Sequence, residues 1–322
     1  SAAVDTDCDL TNLLLSVYDS EGKLLLSYRE EPDTVEKMPE PAHPAKLPEE
    51  IITNEELYLT GLHIEQYRHA TYLPDPYYIE GLKRDAGDSR INNAYGLLLL
   101  RRGLYEEAEK HFRTSIARIT ELQPNPYDSE SYLNLGYALI WQGRFSEAYD
   151  AFYKATWSEA QAGAGFYNIA AIECRNTRFD AALEHVNRAL EYNTHNIRAR
   201  NLKALIQYLS LKNNNQNDML KNHVKESLEQ DPFDYFSAML TDKAYGSGTC
   251  GFDIKERTGG RTDTYTSIAF DLYLYGCPAL AFDLLDACGI ENIMIKYYKA
   301  FMAEKCGRSA AEYYKAASAS DV

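Results

Sequence analysis

The densest group of residues able to do chemistry is His63-Ile64-Glu65-Gln66-Tyr67-Arg68-His69. On a helix, residues four apart share a side, so Glu65 stands with His69 and His63 with Tyr67. A carboxylate beside an imidazole can relay protons, which makes Glu65 and His69 an acid–base candidate. His63 and His69 fall on different sides, which argues against a two-histidine metal site. The competing reading is structural. Polar side chains of this kind more often form the hydrogen bonds that lock one helix to the next. The structural reading is preferred, so His63, Glu65, Arg68 and His69 are taken as a polar or inter-domain cluster, and no residue is assigned as catalytic.

A second stretch, Gly246-Ser-Gly248-Thr-Cys-Gly251, spells G-x-G-x-x-G. The dinucleotide fingerprint needs a strand before it and a helix after it. Here the periodicity before it is helical, so the match is read as chance in a loop and no cofactor is expected. The six cysteines at 8, 174, 250, 277, 288 and 306 include no C-x-x-C pair. They read as reduced, buried thiols of a cytoplasmic protein, and no metal is expected. G-x-S-x-G, P-loop and H-E-x-x-H motifs are all missing.

The elements around these residues show a clearer pattern. Asn134-Leu-Gly136-Tyr-Ala-Leu-Ile-Trp141-Gln-Gly143-Arg-Phe145-Ser-Glu-Ala148-Tyr-Asp-Ala-Phe152-Tyr-Lys-Ala155 reads as two amphipathic helices joined at Gly143. Gly96, Gly103, Ala108 and Phe112 precede Gly136, Gly143, Ala148 and Phe152 by 40 residues each. Phe145, Ala148, Phe152 and Ala155 recur after 34 residues as Phe179, Ala182, Val186 and Ala189. The loop Gln123-Pro-Asn-Pro126 accounts for the longer first interval. Small residues let paired helices approach, and a large ring plugs the gap to the next pair. A recurring helix pair of this period is the signature of a solenoid. The spacing predicts about seven helix pairs.

Ahead of the pairs, Leu13, Leu15 and Val17 alternate, then Asp19-Ser-Glu-Gly22 turns, then Leu24, Leu26 and Tyr28 alternate. That is a β-hairpin signal. A lone hairpin is marginal in water, so residues 1–30 are read as the remnant of an upstream β-domain. Residues 31–52 hold five of the eleven prolines and read as an extended linker. Residues 53–232 are expected to form the regular array, 233–263 a helix and an irregular glycine-rich loop with the residues around it, and 264–322 degenerate helix pairs. A helix is expected over 54 to 70, and a turn at Asn213–Asn217. Ser1-Ala2-Ala3 reads as a scar left by cloning, so the chain is read as a fragment.

Leu135-Gly136, Gly143, Phe145, Ala148, Phe152 and Ala155 resemble the defining positions of a tetratricopeptide repeat, with Tyr132 where that family often carries tryptophan. The resemblance implies an all-α, TPR-like α-solenoid, a right-handed superhelix of helix pairs. A narrower resemblance rests on Glu56 to Thr71, Arg84-Asp-Ala-Gly-Asp88, Asn125-Pro-Tyr127 and Tyr153 to Trp157. These stretches look like a family of large bacterial proteins in which a β-rich domain of unassigned function precedes such an array. It implies a bacterial, intracellular setting and transfers no reaction.

In a helix-pair solenoid the first helices line the concave face. Counting from the repeats, Tyr58, Leu62 and Gln66 face inward, as do Asn93, Leu97 and Arg101. Tyr137 and Trp141 follow, then Tyr167 and Arg175, then Arg198, Asn201 and Tyr208. Aromatic rings mixed with Arg and Asn suit an extended peptide or its carboxylate. The Lys/Asn pattern of chaperone-binding carboxylate clamps is not found. With 33 basic and 48 acidic residues the net charge is −15, which suits neither a nucleic-acid backbone nor an anionic membrane. The sequence therefore points to a non-catalytic scaffold that binds a protein or peptide segment, or its own upstream β-domain. The alternative is the accessory half of a carbohydrate-active enzyme whose catalytic domain lies upstream.

Overall fold

A computed structural model of the protein describes residues 9–31, 43–67, 70–210 and 217–319. The chain forms two compact units, 1–46 and 47–322.

In the first unit, strands β1 (Leu14–Tyr18) and β2 (Leu24–Arg29) pair antiparallel, with Leu15 opposite Tyr28 and Val17 opposite Leu26. The Asp19 carboxylate closes the turn by accepting the Glu21 and Lys23 amides at 2.9 and 2.8 Å. Leu14, Leu15, Leu24, Leu25, Leu26 and Tyr28 are all exposed. Alternation therefore predicts the strands, but neither face of this two-stranded sheet is buried. Pro32, Pro39 and Pro41 of the expected linker lie outside the described residues.

The second unit begins earlier than the proline spacing implies. Pro48–Glu50 form a 3-10 turn, and Ile51 is buried. The Arg84 guanidinium donates to the carbonyls of Ile51 and Pro48 at 2.7 and 3.2 Å. Residues 47–52, read from the sequence as linker, are thus pinned to the helices.

Helices α1 (Asn54–Gln66) and α2 (Asp75–Arg84) make the first pair, and α3 (Ser89–Arg101) and α4 (Tyr105–Ile119) the second. The third is α5 (Glu130–Trp141) with α6 (Phe145–Ala155), and the fourth α7 (Glu159–Arg175) with α8 (Phe179–Tyr192). Helices α9 (Ile197–Ser210) and α10 (Asn217–Gln230) follow, then α11 (Tyr235–Tyr245) and α12 (Ile254–Thr258). The last pairs are α13 (Thr262–Leu274) with α14 (Pro278–Ala287), and α15 (Ile293–Lys305) with α16 (Ala311–Ser318).

Two features differ from the sequence reading, and one expected turn cannot be compared. Helix α1 ends at Gln66 rather than 70, and Arg68 and His69 lie outside the described residues. Most of the expected turn at Asn213–Asn217 also lies outside them. The glycine-rich stretch is not wholly irregular: the Asp253 side chain accepts the Glu256 amide and so caps the short α12.

Packing follows the small-and-ring pattern. A side chain at Gly96 would put its Cβ 2.7 Å from the Phe112 ring, and one at Gly61 would fall 2.6 Å from Tyr78. Phe152 covers Gly136 in the same way. Phe112, Tyr78 and Phe152 are fully buried, as are Ala108, Ala148 and Ala182 in the second helices. One hydrophobic cluster runs without a break from Leu99 to Ala303. First helices stack in order, α1 on α3, α3 on α5, α5 on α7 and α7 on α9, and so line one face of the solenoid.

Candidate functional site

The first-helix face has two parts of different character. In the middle it is covered by the chain's own α13. Phe270 stacks on Trp141, with ring centroids 5.9 Å apart, and Trp141 stacks at the same distance on Tyr105. Arg175 donates to the Tyr273 carbonyl at 3.1 Å, and its guanidinium lies 4.5 Å from the centre of the Phe145 ring. Arg198 pairs with Asp271 at 3.5 Å. Burial pushes the Asp271 carboxyl up, and Arg198 pulls it part of the way back. The Tyr167 and Tyr275 hydroxyls share a hydrogen bond of 2.8 Å, and Tyr275 inserts its ring against Phe236 of α11. Burial pushes the Tyr167 hydroxyl up to about 12.

Gly276 makes this contact possible. Its φ of +84° is one that residues with side chains rarely adopt, and a Cβ there would lie 2.8 Å from the Arg175 Cα. Tyr137, half-buried on α5, accepts a hydrogen bond from Asn168 at 3.1 Å and meets the Phe152 ring edge-on. Asn201 is buried between α9 and α11, where its amide, turned to satisfy both its groups, donates to Asp234 and Ser237. Tyr208 is half-buried and packs against the continuous core. These residues, read as groove positions, are thus already in contact with other parts of the chain.

Towards the N-terminal end the same face is open. A cavity of about 480 Å³ is bounded by Tyr58, Leu62, Glu65 and Gln66 of α1, by Asn93, Ala94, Leu97 and Arg101 of α3, and by Glu130 at the start of α5. The structure therefore brings together Gln66, Asn93 and Arg101, three of the residues inferred from the repeat count, and adds Glu65 from the polar cluster. Glu65 pairs with Arg101 and accepts the Tyr78 hydroxyl at 3.2 Å, tying α1 to α2 and α3. His63 is exposed, with its ring 4.5 Å from that of Tyr67.

Glu130 is not among the residues that the repeat count selects. It accepts the Asn93 amide at 3.0 Å, and Asn134 donates at 3.0 Å to the Asn93 carbonyl oxygen, so an amide chain supports the carboxylate. Burial pushes the Glu130 carboxyl up, and the nearby Asp128 adds to that. Burial, then Glu130, pushes the Tyr58 hydroxyl up. The signal for Glu130 lies in the sequence: it stands seven residues before Tyr137, on the same helical stripe as Trp141. A glutamate at a helix start reads first as a partner for the helix dipole, which hides that role.

Among the described residues no group of three or more His, Cys, Asp or Glu side chains is placed to hold a metal. No described helix is long and apolar enough to cross a membrane.

Residues 88–156, covering α3 to α6, match the tetratricopeptide repeat family profile. A solved structure of Pseudomonas aeruginosa pilF aligns with a TM-score of 0.50 at 16% identity, covering 59% of this chain and 82% of that one. A human IFIT1 dimer with m7Gppp-AAAA aligns at 0.49 and 14% identity, over 83% of this chain and 72% of that one. YrrB, described as a TPR protein with an unusual peptide-binding site, aligns at 0.38 and 16% identity, over 71% and 97%. The fold is therefore an all-α, TPR-like α-solenoid preceded by a β-hairpin, as the resemblance and the strand alternation imply. Solenoids of this kind commonly mediate protein–protein interaction and are generally non-catalytic scaffolds.

Proposed function

We propose that this chain is a non-catalytic interaction scaffold that docks a protein segment at the N-terminal end of its first-helix face. One observation carries the reading: a cavity of about 480 Å³ stays open there, while in the middle of the same face Trp141, Arg175 and Arg198 are engaged by α13. The open part is lined by apolar Leu62 and Leu97 together with polar Gln66, Asn93 and Glu130, as sites for peptide segments are. A β-rich domain, of the kind the narrower resemblance places upstream, is one source of such a segment. The exposed apolar residues of β1 and β2 support a β-rich neighbour. Buried free thiols at Cys174 and Cys288 support a reducing compartment such as the cytoplasm.

A photo-crosslinking residue in place of Gln66, inside the cavity rim, tests this against one in place of exposed Glu184 on α8. The expected result in native lysate is a discrete adduct from position 66 that Leu97→Trp suppresses. Equal labelling at both positions, or labelling indifferent to Leu97→Trp, overturns the reading.

A further inference from the structure

We propose that the open cavity takes a cation: the Lys or Arg side chain of an extended partner segment, seated against the Glu130 carboxylate and beside the Tyr58 ring. This rests on the docking reading above and adds its chemistry. Arg101 is matched by Glu65, and Arg90, whose guanidinium lies 5.4 Å from the centre of the Tyr58 ring, is matched by Glu55. Glu130 has amides for partners and, among the described residues, no cation, and Asp128 beside it adds a second negative charge. A half-buried carboxylate without a counter-ion is costly, and an arriving ammonium or guanidinium removes that cost.

The shape agrees with the charge. Leu62, Ala94 and Leu97 line the cavity, giving apolar surface for the methylene stem of a lysine or arginine, and Tyr58, already beside Arg90, borders the place of the charged head. The middle of the face shows the opposite polarity already satisfied. There Arg198 meets Asp271 and Arg175 meets a backbone carbonyl, both supplied by α13. The arginines that suggest a carboxylate ligand are thus engaged within the chain, and the charge left open to a partner is negative.

The test uses the full chain and a microarray of random hexapeptides with blocked termini, followed by titration of the best binders in solution. The expected result is enrichment of Lys or Arg among retained peptides. Glu130→Gln, with an unchanged melting temperature, should weaken them at least about tenfold. Gln66→Trp, at an exposed rim position, should block them. Retained peptides without basic enrichment, or basic peptides indifferent to Glu130→Gln, overturn the cation assignment. If such peptides are still blocked by Gln66→Trp, the docking reading survives without it. If no peptide depends on either substitution, both fall.

Discussion

At Gly136 on α5 there is no room for a side chain, because the Phe152 ring occupies the space. Phe152 is fully buried, so it cannot move aside without breaking its own contacts. Gly136→Ala should therefore destabilise the protein by about 1–3 kcal/mol through overpacking, despite the better helix propensity of alanine. Urea denaturation measures it, and a neutral or stabilising result would show that the ring is free to shift. His223 gives a pH signature of opposite origin. It is buried against the Arg200 carbonyl at 2.9 Å, and burial holds its imidazole below the usual value of 6.5. Above 6.5 neither the folded nor the unfolded chain protonates this ring, so it contributes nothing there. Below it the unfolded chain binds a proton that the folded chain refuses. Stability should fall as pH drops through this window and level off once the folded ring also titrates. Melting curves across the window should be flatter in His223→Gln, which keeps a donor for the carbonyl; an identical slope would remove His223 as the cause.

Helix α13 is the element that gives the face its two parts. It meets α5, α7 and α9 through Phe270, Tyr273 and Asp271, and Tyr275, just past its end, meets α11. Its approach depends on Gly276, whose conformation and lack of a Cβ let the turn after α13 touch Arg175. Gly276→Val should loosen α13 while sparing α1 to α3, which lie outside the Tyr105–Trp141–Phe270 stack and the Arg175 contact. Hydrogen exchange checks it: amides of α13 and α14 should lose protection and those of α3 should keep theirs. Uniform loss along the chain would mean that the substitution acts on global stability instead.

In the whole second unit, α13 turns a nearest-neighbour stack into something more cooperative. A plain solenoid gains stability from intrinsic repeat terms and adjacent interfaces, so distant repeats can unfold apart. Here α13 links helices that are far apart in the chain, and one core runs from Leu99 to Ala303. Trp141 is one of only two tryptophans and sits in that contact, so Trp157→Phe leaves a single reporter. Its fluorescence should change in one urea transition that coincides with loss of helical circular dichroism. In the Gly276→Val background the two should separate, and separation already in the unmodified chain would contradict the cooperative view.

The sequence by itself determined the helix pairs, their order and the residues that pack them. Glycine opposite a ring and alanine in the second helix are local requirements, satisfied within one pair, so Gly136, Phe152 and Ala148 announce themselves by spacing alone. It also determined which stripe of each first helix faces inward, because that follows from 3.6 residues per turn. Gln66, Asn93 and Arg101 were legible in that way. Which part of the inward face stays open was decided only by tertiary structure. Curvature accumulates from small rotations between successive pairs, and these bring Phe270, Asp271 and Tyr273 of α13 onto Trp141, Arg198 and Arg175. No local spacing encodes a contact between residues so far apart in the chain. The charge left to a partner was hidden for the same reason: Glu130 stands without a cation because folding commits the neighbouring arginines elsewhere.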